Sequence, residues 1–398
     1  MPLGSSDIDL YESEDPIWNP ALLTIPIPGI RKMVNLASTM DDVIHLSIGQ
    51  PDLPAPDTVV EASVEALRAG QTGYTMDAGL PELLESLAEY YSERYQRPLS
   101  PDNIMITTGA TEALYLALTA VAAPGRHFIV PDPAFMLYAP LIRMNGGEVT
   151  EITTRAENNH QLDPQEVIDA IEPHTHAIVL NSPSNPTGTL YPRETLEAIL
   201  EEAAYRGIHV ISDEVYDHLI YDGREYPSVL SCCSDLDHVM VVSSFSKTYS
   251  MAGMRIGWLI GSQAAIKKLR RYHMFTTTVA NTPFQWAGVA ALRSGGAFIE
   301  QMLSEYTRRR DRLVEQTPHL TGYKPEGAFY LFPSLPEGVN GTNVALRLLK
   351  ETGVCTIPGE TFGNSCSNAL RLSYSTSLER IEQAFERIIP WMEKQDFD

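Results

Sequence analysis

Short apolar runs rich in Val and Ile alternate along this chain with amphipathic helical patterns, and this alternation constrains the fold more than any other feature. The runs predict strands at Phe128–Val130, Glu148–Thr150, Ala177–Leu180, Ile208–Ser212, Val239–Val242 and Trp258–Ile260. Because several are apolar at nearly every position, both faces should be buried, which is typical of a mainly parallel sheet. Helical patterns at Pro164–Ile171 and Arg193–Tyr205 lie between strands. The sequence therefore predicts an α/β fold.

The length and the C-terminal pattern predict a second domain. At 398 residues the chain exceeds one ordinary domain. Its last part, Tyr323–Asp398, mixes predicted strands at Ala328–Phe332 and Leu370–Tyr374 with helical patterns, as a smaller α+β domain would. Another strand is predicted near the N-terminus, at Val43–Ile48, after a helical pattern that begins at Ile30.

The first 28 residues are polar and then rich in proline, a composition that suits an extended arm without a fold of its own. Trp18, Leu22 and Ile25 are its apolar side chains. Either the arm buries them on a partner subunit or the segment is a disordered tail, and the sequence leaves both interpretations open.

Charge and composition exclude several classes of partner. The formal net charge of −22 argues against nucleic acid and against an anionic membrane surface. The acidic N-terminus lacks the apolar core of a signal peptide, and apolar runs such as Ala113–Ala123 are too short to span a bilayer. The cysteines are Cys232, Cys233, Cys355 and Cys366. Their spacing predicts neither a metal site nor a disulfide framework, and we expect a cytoplasmic protein.

The stretch Val241–Trp258, VVSSFSKTYSMAGMRIGW, carries the main chemical signal. A strand-like run leads into small hydroxylated residues, then Lys247, with Arg255 eight positions later. Burial and a neighbouring cation both lower the pKa of a lysine, so that its amine becomes a nucleophile able to condense with a carbonyl. Taken alone, a lysine after a serine is more often a surface residue. Other candidate residues make this interpretation stronger.

Asp213 follows a predicted buried strand, at the edge where open α/β sheets bind ligands. A carboxylate there needs a cationic partner, and a protonated pyridine nitrogen would supply one. The alternative role is a helix cap, since aspartate is a favoured capping residue. Tyr216, three residues later, could reach the same ligand or could be a core tyrosine.

Three further positions have the chemistry of an anion or ligand site. Gly109, Ala110 and Thr111 stand at a predicted strand-to-helix junction, where free N–H groups bind phosphate well. Asn185 lies in a tight turn that leaves its amide free. Arg371 heads a strand and could bind a carboxylate with both arms of its guanidinium. Their alternatives are an ordinary turn for the first two and a surface arginine for the third. The chain contains neither a Walker A nor a G-x-G-x-x-G sequence.

These residues lie in motifs that resemble the class I/II aminotransferases, enzymes of the pyridoxal 5′-phosphate (PLP) fold-type I group, and most of all their aspartate-aminotransferase-like branch. The motifs are LSIGQPD, GYTMDAGLPEL, TTGATEAL, NSPSNPTG, ISDEVYDHLIY, SSFSKTYSMAGMRIGW, PEGAFYLF and RLSYSTS. The resemblance extends from Ile30 to the C-terminus. It implies a seven-stranded-type, mainly parallel sheet between helices in a large PLP-binding domain at residues 59–299. It also implies an N-terminal arm at 1–29 and a small α+β domain from 30–58 and 300–398.

The resemblance also implies roles for individual residues. Lys247 would bind the cofactor covalently and carry the α-proton, Asp213 would pair with the pyridine nitrogen, and Tyr216 with Asn185 would contact the phenolic oxygen. Phe135 would stack on the ring. The implied phosphate contacts are Ala110, Thr111, Ser244, Ser246, Arg255 and, from the other subunit of a homodimer with shared active sites, Tyr74. The substrate α-carboxylate would meet Arg371, with Gly49 and Asn185 beside it.

One departure from the family pattern concerns the substrate side chain. Relatives specific for dicarboxylic amino acids often carry a lysine where this chain has Thr111, and another branch uses an arginine where Phe275–Pro283 offers threonines. Hydroxyls of Thr111 or of the Thr276–Thr278 run could bond a side chain without neutralising a charge, although Arg31, Arg271 or His273 could still reach the pocket. We therefore expect an amino acid that is not dicarboxylic.

The first functional hypothesis is an aminotransferase that moves an amino group between an L-amino acid and a 2-oxo acid. The alternative is a PLP enzyme of the same fold that catalyses elimination, replacement, cyclisation or oxidation, because the first chemical steps are shared. A non-catalytic PLP-binding regulator would need a DNA-binding module, for which the chain has neither spare length nor a basic segment.

Overall fold

The protein is described here by a computed structural model, which covers Ile25, residues 29–317 and residues 323–394. The expectations for Trp18 and Leu22 lie outside the described residues. None of the described helices combines the length and the apolar character that crossing a bilayer demands. No cluster of three or more metal-ligating side chains occurs in the same part of the chain.

Twelve strands occur in the described part of the chain. They are β1 (Ile44–His45), β2 (Ile104–Thr107), β3 (His127–Asp132), β4 (Glu148–Thr153), β5 (Thr175–Asn181), β6 (His209–Asp213), β7 (Val239–Ser244), β8 (Gly257–Ile260), β9 (Tyr330–Leu331), β10 (Val354–Cys355), β11 (Ile357–Pro358) and β12 (Leu370–Ser373).

Fourteen α-helices surround them in the same described ranges. They are α1 (Gly29–Ala37), α2 (Asp57–Arg68), α3 (Pro81–Tyr95), α4 (Gly109–Val121), α5 (Tyr138–Met144), α6 (Pro164–Asp169), α7 (Arg193–Arg206), α8 (Val229–Cys232), α9 (Phe245–Thr248), α10 (Gln263–His273), α11 (Thr282–Ser294), α12 (Gly296–Gln316), α13 (Gly341–Thr352) and α14 (Leu378–Met392).

A seven-stranded sheet forms the centre of the molecule, in the order β2-β8-β7-β6-β5-β3-β4. Neighbouring strands from β7 to β4 are parallel, and only β8 runs antiparallel to both of its neighbours. The predicted α/β fold with a mainly parallel sheet is confirmed. The carboxyl ends of β5, β6 and β7 therefore meet at one edge, with Asn181 beside Asp213 and Asp213 beside Val242.

The apolar strands are buried on both faces, as their composition predicts. In β5, Ile178 and Leu180 join one core with helices α3 and α7, whereas Ala177 and Val179 join a second core with α4 and α5 on the opposite face. Successive side chains of a strand point to opposite faces, so a strand apolar at every position supplies both cores. A sheet with one solvated face would not use such strands.

A third apolar core lies beyond the carboxyl edge of the sheet. It contains side chains from α1, β1, α12, α13 and α14 and from the strands β9 to β12. The segment that follows Asp213 enters the same core through Val215, Tyr216, Leu219 and Tyr221. This segment therefore connects the sheet edge directly to the packing of the C-terminal part of the chain.

Two predicted strands are reduced to two residues each, one near the N-terminus and one in the C-terminal part of the chain. Of Val43–Ile48 only Ile44–His45 is a strand, paired with β10. The carbonyls of Ser47 and Gly49, beyond its end, accept hydrogen bonds from Arg371 and Lys247 instead of from a strand. The other, predicted at Ala328–Phe332, is reduced to β9, since Ala328 has a φ of 57°, which a strand cannot contain.

Candidate active site

A cavity of about 240 Å³ lies between the carboxyl edge of the central sheet and the third core. Nearly all of the residues proposed from the sequence line it: Gly49, Ala110, Thr111, Phe135, Asn185, Asp213, Tyr216, Ser244, Ser246, Lys247, Arg255 and Arg371. Tyr74 does not, because its side chain is 86% exposed on the surface of the same subunit.

Lys247 enters the cavity from the short helix α9, which begins where β7 ends. The Ser244 hydroxyl caps this helix by accepting from the N–H of Ser246 at 3.3 Å, which fixes the direction of the following residues. The Lys247 ammonium donates to the carbonyl of Gly49. Burial, followed by the charges of Arg371 and Arg255, lowers the pKa of Lys247 to about 8, while Asp213 acts in the opposite direction.

Asp213 is a buried carboxylate at the end of β6, with 4% exposure. The Tyr138 hydroxyl donates to its Oδ2 at 2.7 Å and the N–H of Val215 donates to its Oδ1 at 3.3 Å. No described cationic side chain lies within ion-pair distance of it. Burial therefore raises the pKa of Asp213 to about 6. A carboxylate held in this way suits a cationic ligand atom.

The amino end of α4 forms a second polar wall. The helix begins at Gly109, whose φ of +75° favours glycine, and no side chain caps its first N–H groups. A Cβ at Gly109 would lie 2.4 Å from Nη2 of Arg255, so the absence of a side chain lets this guanidinium reach the helix end. Among the residues that the structure describes, Arg255 donates only to the carbonyls of Ala252 and Thr108. N–H groups and an arginine without a described acidic partner are together suited to bind a phosphate group.

Arg371 is 1% exposed and has no acidic partner among the described residues. Its Nη2 donates to the Ser47 carbonyl at 2.6 Å and its Nη1 to Oδ1 of Asn185 at 3.1 Å. Its Nε is buried and has no hydrogen-bond partner within the described part of the chain. Burial lowers the pKa of Arg371 from its usual range. A buried guanidinium with an unused donor is expected to bind an anionic ligand group.

The remaining predicted residues lie around these charges. Asn185 donates its N–H to Oδ1 of Asn181 at 2.8 Å, which orients the turn that carries it. Tyr216 is buried, with its hydroxyl 2.8 Å from that of Tyr330. Phe135 is half-buried and contacts Tyr138 edge to face.

Sequence reasoning missed Tyr138, which bonds Asp213, and Tyr330, which contacts both Tyr216 and Arg371. Tyr330 stands within the PEGAFYLF motif, and Tyr138 follows Phe135 by three residues. In both cases the sequence shows a tyrosine, whose hydroxyl is polar, within a largely apolar segment. That pattern could have indicated a hydrogen-bonding role for each residue.

Of the threonines proposed to meet a substrate side chain, Thr111 lines the cavity, whereas Thr276 and Thr277 are engaged elsewhere. The hydroxyls of Thr276 and Thr277 both donate to Oε1 of Glu112 at 2.6 Å. His273 is fully buried and contacts the Asp77 carbonyl, while Arg31 and Arg271 are exposed and do not line the cavity. Among the described lining residues, the cations are therefore Lys247, Arg255 and Arg371.

The lining fits PLP at each of its polar groups. Asp213 is a buried carboxylate that needs a cation and could hold the pyridine nitrogen, Lys247 could reach the aldehyde, and Arg255 with the α4 N–H groups could hold the phosphate. Arg371 then stays free for a substrate carboxylate.

The chain is similar to known proteins over most of its length. Residues 41–388 match the family model described as aminotransferase class I and II. An aspartate aminotransferase of Pyrococcus horikoshii is 37% identical over 374 residues, covering 92% of this chain and 95% of the relative. Aromatic-amino-acid aminotransferase 2 of Thermococcus litoralis is 33% identical over 90% of this chain and 94% of its own length. The crystal structure of aspartate aminotransferase from Thermotoga maritima superposes with a TM-score of 0.90 at 35% identity, covering 95% of this chain and all of that one.

The ionisation of Asp213 gives a testable effect on stability. Its folded pKa of about 6 lies above the ordinary 3.8, so the charge destabilises the cofactor-free protein as pH rises above 3.8 and reaches its full effect above about 6. We expect Asp213→Asn to raise the free energy of unfolding of the cofactor-free protein at pH 8, by at most about 3 kcal/mol, and to change it little at pH 4. Urea unfolding at the two pH values measures the difference.

Asp217→Asn is the matched control. Asp217 is also 4% exposed but pairs with Arg94 at 2.7 Å, so its neutralisation should destabilise the protein. The prediction is wrong if the cofactor-free Asp213→Asn variant unfolds at a lower urea concentration than the parent at pH 8. That result would show that neighbouring groups stabilise the charged carboxylate.

Proposed function

The chain belongs to the class I and II aminotransferases and is a transaminase, and on that premise we propose that its cavity binds PLP with Lys247 as the covalent attachment point and proton carrier. One observation carries this proposal: Lys247, Asp213 and Arg371 line the same cavity. Among the described residues, the Asp213 carboxylate has no cationic partner within ion-pair distance and Arg371 has no acidic partner. When bound, PLP supplies a carbonyl that condenses with amines and a ring that accepts electrons from the substrate Cα.

The proposed roles follow from charge and position. Asp213 would hold a proton on the pyridine nitrogen, since a cationic partner would stabilise its buried carboxylate. Arg371 binds the substrate α-carboxylate through Nε and one terminal nitrogen and so orients the Cα–H bond. Lys247 Nζ, with a pKa of about 8, is largely neutral at slightly alkaline pH and accepts the Cα proton as general base.

The other contacts hold the ligand. Tyr216 and Asn185 both line the cavity and would contact the phenolic oxygen of PLP, and Asn185, which accepts a hydrogen bond from Arg371, would also lie beside the substrate carboxylate. Phe135 would stack on the ring. The phosphate would be held by Arg255 and by residues at two helix starts, which are Ala110, Thr111, Ser244 and Ser246. Gly49 would lie beside the substrate carboxylate.

Covalent labelling tests the assignment of Lys247. Borohydride reduction of the PLP-loaded protein followed by peptide mapping is expected to place the pyridoxyl group on Lys247. Lys247→Ala should abolish turnover and still bind PLP non-covalently through the phosphate and pyridine contacts. Lys268→Ala, at an exposed position of α10, is the control and should be labelled and active. A label on any other lysine would refute the proposal.

We propose that the functional unit is a homodimer in which each subunit contributes Tyr74 to the other's phosphate site. Tyr74 is exposed, as are Met76, Met274 and Phe275, the last at 88%. These side chains belong to one region, because the Thr282 hydroxyl donates to the Gly73 carbonyl and Arg270 pairs with Asp77. Such an apolar patch is typical of a subunit interface.

Subunit complementation tests this arrangement. Tyr74→Ala and Lys247→Ala variants are each expected to be weakly active or inactive. A mixed dimer should have one intact site, formed by Lys247 of one subunit and Tyr74 of the other, so mixing after mild denaturation should restore activity. If Tyr74 acts within its own subunit, no mixed dimer has an intact site and mixing restores nothing. Two Lys247→Ala preparations mixed together are the control.

We propose an amino acid substrate that is not dicarboxylic. The relatives carry names for both aspartate and aromatic amino acids, so the family leaves this choice open. The three lining cations are already used, two by PLP and one by the α-carboxylate. A second buried carboxylate without a cation would cost several kcal/mol. The relevant position, Thr111, lines the cavity with a neutral side chain.

Substrate preference is measured as kcat/KM for phenylalanine, methionine, alanine and arginine against aspartate. We expect a neutral amino acid to exceed aspartate, and Thr111→Lys to shift the ratio toward aspartate by about tenfold or more, which corresponds to about 1.4 kcal/mol. Thr111→Gln adds length without charge and should not produce that shift. A parent enzyme that prefers aspartate by more than about tenfold would overturn the proposal.

We also propose a division into two domains and a cytoplasmic location. Residues 30–58 and 300–398 supply most of the third core, and residues 59–299 supply the two cores that flank the central sheet. The four cysteines are free, which suits a reducing compartment.

A further inference from the structure

Tyr330 contacts two parts of the cavity that have different proposed tasks. It lies in β9, is 1% exposed, and its hydroxyl is 2.8 Å from that of Tyr216. Its ring also faces Arg371, whose guanidinium carbon lies 4.4 Å from the ring centroid. One side chain therefore touches both the residue proposed for the phenolic oxygen of PLP and the residue proposed for the substrate carboxylate.

The position of Tyr330 is fixed by strand pairing and by a glycine. β9 pairs with β12, the strand that carries Arg371, so that Tyr330 stands opposite Ser373. A Cβ on Gly49 would lie 2.2 Å from the Tyr330 hydroxyl oxygen, so only glycine leaves room for it. The same Gly49 offers its carbonyl to Lys247. Contacts within the protein thus hold both the backbone and the ring of Tyr330 in place.

The direction of the hydrogen bond between the two tyrosines follows from a count of protons. Burial raises the pKa of both phenols, so each keeps its single proton at working pH. Among the described residues the Tyr330 hydroxyl has the Tyr216 hydroxyl as its hydrogen-bond partner. If Tyr216 directs its own proton toward the cavity, Tyr330 must be the donor. A phenol that accepts a hydrogen bond is itself a stronger donor.

We propose that Tyr330 is a positioning residue whose hydroxyl donates to Tyr216 and whose ring supports the guanidinium of Arg371. This inference rests on the proposed function, because it gives Tyr330 a task only if Tyr216 contacts PLP and Arg371 binds a carboxylate. The two tasks belong to different parts of the side chain. The hydroxyl strengthens and orients the Tyr216 donor, and the aromatic face stabilises the buried cation.

Tyr330→Phe tests the hydroxyl alone, since it keeps the ring over Arg371. The PLP-loaded protein is titrated by absorbance against pH without substrate. A weaker donor from Tyr216 stabilises the deprotonated phenolic oxygen less, so the midpoint should rise, by roughly 0.2–0.6 pKa units. Tyr374→Phe is the control, because Tyr374 is a buried tyrosine of the same core whose hydroxyl donates to the Ala328 carbonyl and not to Tyr216.

Tyr330→Leu tests the aromatic face. Binding of 3-phenylpropionate, a monocarboxylate without an amino group, is measured on the PLP-loaded variants. Loss of the ring should weaken this binding roughly 3- to 30-fold, whereas Tyr330→Phe should change it little. Circular dichroism checks that the leucine variant is folded. If it is not, Tyr330→Met, which also lacks the ring, replaces it in the same binding measurement.

The outcomes separate this inference from the proposed function. An upward midpoint in Tyr330→Phe with an unchanged midpoint in Tyr374→Phe supports the role of the hydroxyl. If the parent protein is labelled at Lys247 and the midpoint of Tyr330→Phe is equal to or lower than that of the parent, the role of the hydroxyl is overturned and the proposed function stays intact. Equal binding of 3-phenylpropionate by the Phe and Leu variants overturns the role of the ring. A parent protein that binds PLP without a label on Lys247 would contradict the proposed function itself.

Discussion

The arrangement of charges in the cavity is the constraint on which the site depends. Lys247, Arg255 and Arg371 line a space where the one acidic side chain among the described lining residues is Asp213. This excess of positive charge occurs in a chain with a net charge of −22. Buried charges without partners are costly, so a ligand that brings anionic groups to the cations and a cation to Asp213 would stabilise this cavity. The same burial lowers the pKa of Lys247 and raises that of Asp213, which prepares a neutral amine and a carboxylate in need of a cation.

These charges converge because the edge of the central sheet meets the third core. Asp213 and the α9 helix that carries Lys247 follow parallel strands, whereas Arg371 stands in β12, on the third core. The segment from Val215 to Tyr221 packs into that core directly after Asp213. The hydrogen bond between Tyr216 and Tyr330 and the bond from Arg371 to Asn185 both join the two parts. A change in the relative position of these two parts would therefore alter the contacts proposed for PLP and the contact proposed for the substrate together.

The backbone takes part in the same arrangement. β1 ends after two residues, and the following carbonyls of Ser47 and Gly49 accept from Arg371 and Lys247. Glycine at 49 leaves room for Tyr330, and glycine at 109 leaves room for Arg255. Irregular backbone next to a regular sheet thus provides acceptors and space that side chains could not provide without collision. This explains why a predicted strand is interrupted where the cavity begins.

The sequence by itself determined the class of fold and most of the cavity lining. Strands apolar at nearly every position require burial on two faces. Because this pattern is contained in short segments, the parallel sheet and the helices around it could be predicted from the sequence. The motifs around Lys247, Asp213 and Arg371 likewise carry their chemistry in short segments. Only the tertiary structure decided which side chains satisfy one another. Tyr138 bonds Asp213 across 75 positions, Tyr330 meets Tyr216 across 114, and the threonines at 276 and 277 turn to Glu112 instead of to the cavity. Contacts at such separations depend on how the sheet edge and the third core pack together, and no local pattern records that geometry.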